Sequence, residues 1–319
     1  MSGTEDLRAA RESRADIARR TGRAGLGDTM TRMVDAAVYR ATRKPAARHT
    51  ATPRQPDWGV LHTPDGTVHY LDTGQGFPVL LVHGTFEDPA TALDRHGAAI
   101  PAGARVVAPA RFGYTGSSLP AGATPARQAD AFAALLDELG IATAAVVAIS
   151  SGTTSALQLA IRHPERVAAL ALVGPNGPGC QHGDRTSVPR WLVSAVWRSD
   201  RLTRLARHPL VTGLGRRTGQ WIVLPPAGVD ERHLDGALFD VFVSDPDMNR
   251  GYDLTRITAP TLVACAGDDT LVPRWSAVAL AQTVPEAQLL TVDHGADRPL
   301  GAHTEVATAV RALLQRTSH

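Results

Sequence analysis

The chain has 319 residues, of which 43% are apolar and 20% are charged, and its formal net charge is +2. This composition excludes a wholly disordered chain, and the near balance of charges argues against a nucleic-acid partner. No apolar run of about 18 residues occurs, so no membrane span is expected.

The first fifty residues predict a helical extension. Five apolar side chains fall on one face of a helix here: Met30, Met33, Val34, Ala37 and Val38. Packing on the chain's own body or on a second subunit is the favoured interpretation of residues 1–50, which leaves a homo-oligomer possible. A helix lying on an anionic membrane is the alternative, which Asp28 and Asp35 disfavour.

Localisation is predicted from two features. The segment "MSGTEDLRAARESRADIARR" lacks the apolar core of a secretory signal. Cys180 and Cys265 are far apart and show no metal-binding spacing. We therefore expect a cytoplasmic protein in a reducing compartment.

Strand and helix patterns alternate from residue 57 onward. Two short β-type runs surround a Pro-Asp-Gly turn in "WGVLHTPDGTVHYLDTG", which is a hairpin signal. Buried strands then alternate with helices: "PVLLVHG", "ARVVAPA", "PARQADAFAALLDELG", "AAVVAIS", "GTTSALQLAIRHPERV" and "AALALVGP". This order predicts an α/β fold with a mostly parallel sheet covered by helices on both faces.

The alternation stops between residues 176 and 255 and then resumes. The interruption contains helical patterns such as "VPRWLVSAVWRSDRLTRLARH" and is too long for an ordinary loop. We interpret 176–255 as a helical cap inserted into a core made of 57–175 and 256–319.

A serine follows the central predicted strand, in "VVAISSGTTSALQLA". A nucleophile on a sharp strand-to-helix turn requires small residues two positions before and two positions after it. Ser150 meets this requirement with Ala148 and Gly152, whereas Ser151 would have the bulky Ile149 and Thr153. Ser150 is therefore the candidate nucleophile, and simple capping of the following helix is the alternative.

A serine hydroxyl needs a histidine base oriented by a carboxylate. "AGDDTLVP" places Asp268 and Asp269 after one late strand, and "TVDHG" places His294 after the next. His303, near the start of the last helix, is the competing base. Strand-end placement favours His294.

These residues together resemble the α/β-hydrolase family over 57–175 and 255–316. The family's acid lies in a turn resembling GxxDxxxP, a form that this chain gives as "AGDDTLVP" with Asp269 four residues before Pro273, and the chain order Ser, Asp, His is the family's. The strand end "LLVHGTFEDP" resembles its HGx element. The resemblance implies that the amides of Thr85 and Ser151 form the oxyanion hole, while His83 has a structural role.

The chemistry expected is hydrolysis of a small apolar ester or lactone through an acyl-enzyme, with no cofactor. A carbon–carbon hydrolase, peptidase or cyclase with the same triad, or a non-catalytic ligand-binding homologue, remains the alternative. Phe86, Trp191 and Trp197 are tentative pocket residues, with packing inside the cap as the alternative. A metal site at "CQHGD" lacks a second ligand pair.

Overall fold

The computed structural model describes residues 57–177, 189–208, 224–225, 229–267, 269, 274–293 and 303–317. The predicted N-terminal extension, 1–50, lies outside these ranges, as does Cys180. Cys265 is a buried free thiol. No helix among the described residues is both long and apolar enough to cross a bilayer.

One sheet of eight strands is formed by the described residues, in the spatial order β1-β2-β4-β3-β5-β6-β7-β8. The strands are Asp57–Thr63 (β1), Gly66–Thr73 (β2), Pro78–Val82 (β3), Arg105–Pro109 (β4), Ala144–Ile149 (β5), Val167–Val173 (β6), Thr261–Ala266 (β7) and Gln288–Val292 (β8). β2 pairs antiparallel with β1 and β4, and every other pair is parallel. The predicted hairpin and mostly parallel sheet are confirmed.

The helices are Pro89–His96 (α1), Pro125–Glu138 (α2), Gly152–Arg162 (α3), Arg190–Trp197 (α4), Asp200–Ala206 (α5), Leu234–Phe239 (α6), Arg274–Thr283 (α7) and Thr304–Arg316 (α8). A π-helical turn, Asp240–Ser244, and a short turn, Asp245–Asp247, continue α6. Single 3₁₀ turns cover Gly97–Ala99, Pro164–Arg166, Glu231–His233, Met248–Arg250 and Leu254–Arg256. The sequence analysis missed α1, although Asp88 caps it by accepting from the Thr91 amide at 2.7 Å.

Strand β5 explains why helices cover both faces of the sheet. All six of its side chains are buried, and successive side chains of a strand point to opposite faces. Ala144, Val146 and Ala148 join one core cluster with residues of α2 and α3. The alternate residues join a second cluster with residues of α1 and α8.

The described part of the cap is helical. The segment predicted as one helical run divides into α4 and α5 at Ser199, whose hydroxyl accepts from the Leu202 amide. A third apolar cluster joins Val193 and Trp197 of α4 to Leu238 of α6 and to Tyr114 of the loop after β4. This cluster fixes the described cap helices against the carboxyl end of the sheet.

Candidate active site

The predicted site residues lie where parallel strands end. Thr85 follows β3, Ser150 follows β5 and Asp269 follows β7. Strands β3, β5, β6, β7 and β8 are consecutive neighbours in the sheet, so their carboxyl ends share one edge, which is where open α/β sheets bind ligands.

The predicted base falls outside the described residues. His294 comes directly after Asp293, where the described segment that contains β8 ends. β8 pairs parallel with β7, and Ala266 lies opposite Val292. The competitor, His303, is the residue that precedes α8.

Ser150 stands on a strained turn between β5 and α3. Its φ angle is +48°, a left-handed conformation that costs a non-glycine residue roughly 1–2 kcal/mol. Its amide donates to the carbonyl of Val173 at 2.9 Å, and its carbonyl accepts from the Thr153 amide at 2.9 Å. Ser151 has an ordinary helical φ of −59°. Of the two serines, only Ser150 has a strained backbone, and it is the one chosen from the small size of the residues two positions away.

The two small neighbours of Ser150 have different roles. A Cβ atom on Gly152 would lie 2.5 Å from the carbonyl oxygen of His83 and 2.9 Å from that of Val82. Glycine is therefore needed there, because the chain of β3 passes directly beside the turn. The methyl group of Ala148 is fully buried within the first core cluster. Packing accommodates it, so the usual glycine is dispensable at that position.

The Gly152→Ala variant is expected to lose catalytic activity by about 100-fold or more, because the methyl must displace backbone and shift the turn. Its melting temperature should also fall. Gly97→Ala is the matched control, since Gly97 has helical angles and its Cβ would meet only the flexible Leu93 side chain at 3.3 Å. Equal effects of the two changes would refute this account of the turn.

The loop after β3 carries the predicted oxyanion donors. Among the described residues, no backbone group accepts from the amides of Thr85 and Ser151. The loop passes close to the turn, since a Cβ atom placed on Gly84 would lie 3.4 Å from the Cβ of Ser150, an ordinary contact distance. The prediction that these two amides serve as oxyanion donors is consistent with this pattern among the described residues.

Glu87 fixes this loop, a function that the sequence analysis missed. The Gly84 amide donates to its Oε2 at 3.1 Å, and Arg95 donates to its Oε1 at 3.1 Å. Burial opposes ionisation of Glu87, but His96, Arg95 and the Gly84 amide hold its pKa well below its usual range. An acid three residues after the glycine of HGx was the available signal.

His83 has the structural role predicted for it. The Arg111 amide donates to its Nε2 at 3.1 Å, so its proton is on Nδ1 and is donated to the Gly84 carbonyl at 2.8 Å. Burial, together with the charge of Arg111, lowers its pKa well below the usual value. The ring is neutral and completely buried, and it joins the ends of β3 and β4.

An unpredicted ion pair lies beneath the site. The guanidinium of Arg111 donates to both carboxylate oxygens of Asp240 at 2.6 and 2.7 Å, and neither side chain is exposed. The hydroxyl of Tyr114 donates to Asp240 Oδ2 at 2.5 Å. Burial opposes the charge of Arg111, but Asp240 holds its pKa above the usual value. The ion pair ties the cap segment to the loop after β4.

The predicted pocket aromatics separate in the structure. The rings of Phe86 and Trp197 contact each other edge to face, with centroids 5.3 Å apart, and Trp197 is 5% exposed. Trp191 is 70% exposed, so it does not pack with the other two, and its place in a substrate pocket stays a prediction. Positions 191 and 197 of α4 are six residues apart, so their side chains point in directions about 120° apart around the helix axis.

The described part of the chain contains no cluster of side chains that could bind a metal ion. No three His, Cys, Asp or Glu side chains there are grouped to hold an ion. Cys180, His182 and Asp184, the weak metal pattern, lie outside that part.

Comparison with known proteins identifies relatives of this arrangement. A family model described as the α/β hydrolase fold matches residues 78–211. A 2-hydroxymuconate semialdehyde hydrolase of Pseudomonas putida is 33% identical over 68% of this chain and 79% of its own length. Lipase LipV of Mycobacterium tuberculosis is 30% identical over 74% of this chain and 92% of its own. The solved α/β hydrolase fold protein from Nakamurella multipartita superposes with a TM-score of 0.60 at 26% identity, covering 82% of this chain and 99% of that one.

Proposed function

This chain belongs to the α/β-hydrolase fold family, and we propose that it is a serine hydrolase that cleaves a carboxylic ester or lactone. The observation that carries the proposal is the turn at Ser150, whose φ of +48° exposes a serine between a buried strand and a helix. Strain of this size persists where a function requires it.

The proposed reaction gives each of the predicted site residues one role. Ser150 attacks the carbonyl carbon, and His294 removes the hydroxyl proton and then protonates the leaving alcohol. Asp269 orients the imidazole. The Thr85 and Ser151 amides donate to the oxyanion, and each such donor is typically worth about 10²- to 10³-fold in rate. Water then attacks the acyl-enzyme, with His294 as the base, and releases the acid.

A fluorophosphonate probe tests whether Ser150 is a nucleophile. We expect wild-type protein to be labelled stoichiometrically and Ser150→Ala to remain unlabelled. Thr143→Val serves as a control for handling and folding, since the Thr143 hydroxyl only donates to the Glu165 carbonyl at the other end of the sheet. Unchanged labelling of Ser150→Ala, or no labelling of folded wild type, would refute the serine hydrolase and favour the ligand-binding alternative.

A second candidate is hydrolysis of a carbon–carbon bond. The Pseudomonas putida relative is named for 2-hydroxymuconate semialdehyde. A semialdehyde of this name contains no ester, so water must cleave a bond beside its carbonyl group. The same triad and oxyanion donors could serve that reaction on this chain.

Substrate competition separates the two candidates. Values of kcat/KM are measured for p-nitrophenyl esters of increasing chain length, for simple lactones and for 2-hydroxymuconate semialdehyde. The ester or lactone proposal predicts that one of those two classes exceeds the semialdehyde by at least about 100-fold, a difference of roughly 2.7 kcal/mol in transition-state binding. The opposite order would establish the second candidate.

A further inference from the structure

The π-helical turn after α6 presents two carboxyl groups to the site. In an α-helix, residues five apart are about 140° apart around the axis. Here the Asp245 amide donates to the Asp240 carbonyl across the wider turn, which brings these two residues toward the same face. Both are buried, with 0% exposure for Asp240 and 7% for Asp245. Such turns occur frequently at functional sites.

The two carboxyl groups are joined through the hydroxyls of the oxyanion residues. Thr85 Oγ1 lies 2.9 Å from Asp240 Oδ2 and 2.8 Å from Ser151 Oγ. Ser151 Oγ lies 3.2 Å from Asp245 Oδ2. The Asn176 amide donates to the other oxygen of Asp245 at 2.6 Å. The series Asp240, Thr85, Ser151, Asp245 is called the hydroxyl relay below.

Counting protons along the hydroxyl relay determines their positions. Asp240 accepts from Arg111 and Tyr114, so it is ionised, and Thr85 must donate to it. Thr85 Oγ1 lies in donor geometry toward both Asp240 and Ser151, but a hydroxyl has only one proton. Once that proton goes to Asp240, the proton between the two hydroxyls must come from Ser151. Ser151 has none left for Asp245, and that contact therefore needs a proton on the carboxyl group.

An ionised Asp245 leaves the series one proton short. If Ser151 donates to an ionised Asp245, the single Thr85 proton must serve two contacts. Either the Thr85 and Ser151 hydroxyl oxygens, 2.8 Å apart, or Thr85 Oγ1 and Asp240 Oδ2, 2.9 Å apart, then have no proton between them. A buried close contact of this kind is costly. The Asn176 amide fits the protonated form, because it donates to the oxygen that stays a carbonyl.

The surrounding charges agree with this assignment. Burial and then the charge of Asp240 raise the pKa of Asp245 to about 7, and Ser151, Arg111 and Asn176 oppose the rise. Arg111 is paired with Asp240. The nearby Tyr252 is a neutral phenol whose pKa is raised by burial and by Asp247. No other cation on the described elements pairs with Asp245.

We propose that Asp245 is a positioning residue that carries a proton and, through the hydroxyl relay, holds the Thr85 and Ser151 amides in the geometry of the oxyanion hole. This inference rests on the proposed function, because the two amides serve as oxyanion donors only in a serine hydrolase. When Asp245 loses its proton, Ser151 turns to the carboxylate, the relay breaks at one contact, and the loop bearing Thr85 is released from α3.

The sign of the pH effect follows directly. Below pH 7 Asp245 carries its proton, so the hydroxyl relay is intact and the oxyanion hole is formed. Above pH 7 Asp245 loses the proton, and the contribution of the hydroxyl relay to the rate is lost. Asp245→Asn mimics the protonated carboxyl, because its amide group can donate to Ser151 at every pH. The ratio of kcat/KM of Asp245→Asn to that of wild type should be flat below about pH 6 and should reach about ten times that plateau by about pH 8.

Infrared difference spectra test the proton without turnover. Wild type should show the C=O stretch of a protonated carboxylic acid that disappears with a midpoint near pH 7 and is absent from Asp245→Asn. A missing band in wild type, or a flat kcat/KM ratio, would overturn the proposal. Hydrolysis that is unchanged in Ser150→Ala would instead refute the proposed function. The two failures can be told apart, because the infrared band is measured without substrate.

Thr85→Val provides the second variant should Asp245→Asn fail to fold. It keeps the shape and the amide of Thr85 but frees the Ser151 hydroxyl to donate to Asp245, which favours the ionised form. The infrared midpoint should move to lower pH, and kcat should fall by about tenfold or more with KM nearly unchanged. Thr143→Val is the matched control. An unmoved midpoint in Thr85→Val would also overturn the proposal.

Discussion

Replacing His294 by alanine is expected to lower kcat for ester hydrolysis by a factor on the order of 10⁴ or more, because the Ser150 hydroxyl then has no base. KM should change little, since the imidazole acts on the reacting proton and not on the substrate's remote groups. Steady-state kinetics on the best p-nitrophenyl ester, with circular dichroism to verify folding, measure the effect.

His303→Ala is the matched control for this experiment. It is the other histidine that the sequence places near the end of the chain's last strand, and it directly precedes α8. Its kcat should stay within about threefold of wild type, a change below 1 kcal/mol in barrier height. Loss of turnover in His303→Ala alone would transfer the role of base to that residue.

Replacing Arg111 by methionine is expected to lower the free energy of unfolding by about 3–5 kcal/mol, because Asp240 would remain buried without its counter-charge. Both side chains are wholly buried, so water cannot take the place of the guanidinium. Urea denaturation followed by tryptophan fluorescence gives the free energy of unfolding.

Arg162→Met removes an ion pair of similar geometry at the surface. Arg162 donates to Asp130 at 2.7 and 2.9 Å, but both side chains are more than 40% exposed. Its loss should cost less than about 1 kcal/mol. The Arg111→Met/Asp240→Leu double variant should recover part of the stability lost in Arg111→Met. Equal losses for Arg111→Met and Arg162→Met would contradict the buried-charge explanation.

Local chemistry was sufficient to predict the framework of the fold. Strands β3, β5 and β7 are continuous apolar runs because both faces of the sheet are covered, and such runs can be recognised in any single sequence. The choice of Ser150 over Ser151 also depended on local information, the sizes of residues two positions away. The structure adds its cause, since β3 leaves no room for a Cβ on Gly152.

Sequence patterns could not determine which distant polar groups meet. Arg111 and Asp240 are 129 residues apart, and no local pattern around either residue points to the other. Trp191 and Trp197 looked equivalent as cap aromatics, yet only the latter faces inward, because the orientation of α4 depends on its packing against α6 and Tyr114. Such pairings are set by how the cap lies on the sheet.

The sequence by itself determined the succession of strands along the chain, the strained position of Ser150 and the strand ends that carry Thr85 and Asp269. Those features follow from apolar periodicity, residue size and backbone sterics, which act over a few residues. The tertiary structure decided that Asp240 and Asp245 turn toward Thr85 and Ser151 beside a buried arginine. That outcome depends on burial and on the energy of charges removed from water, which arise only when distant segments pack together.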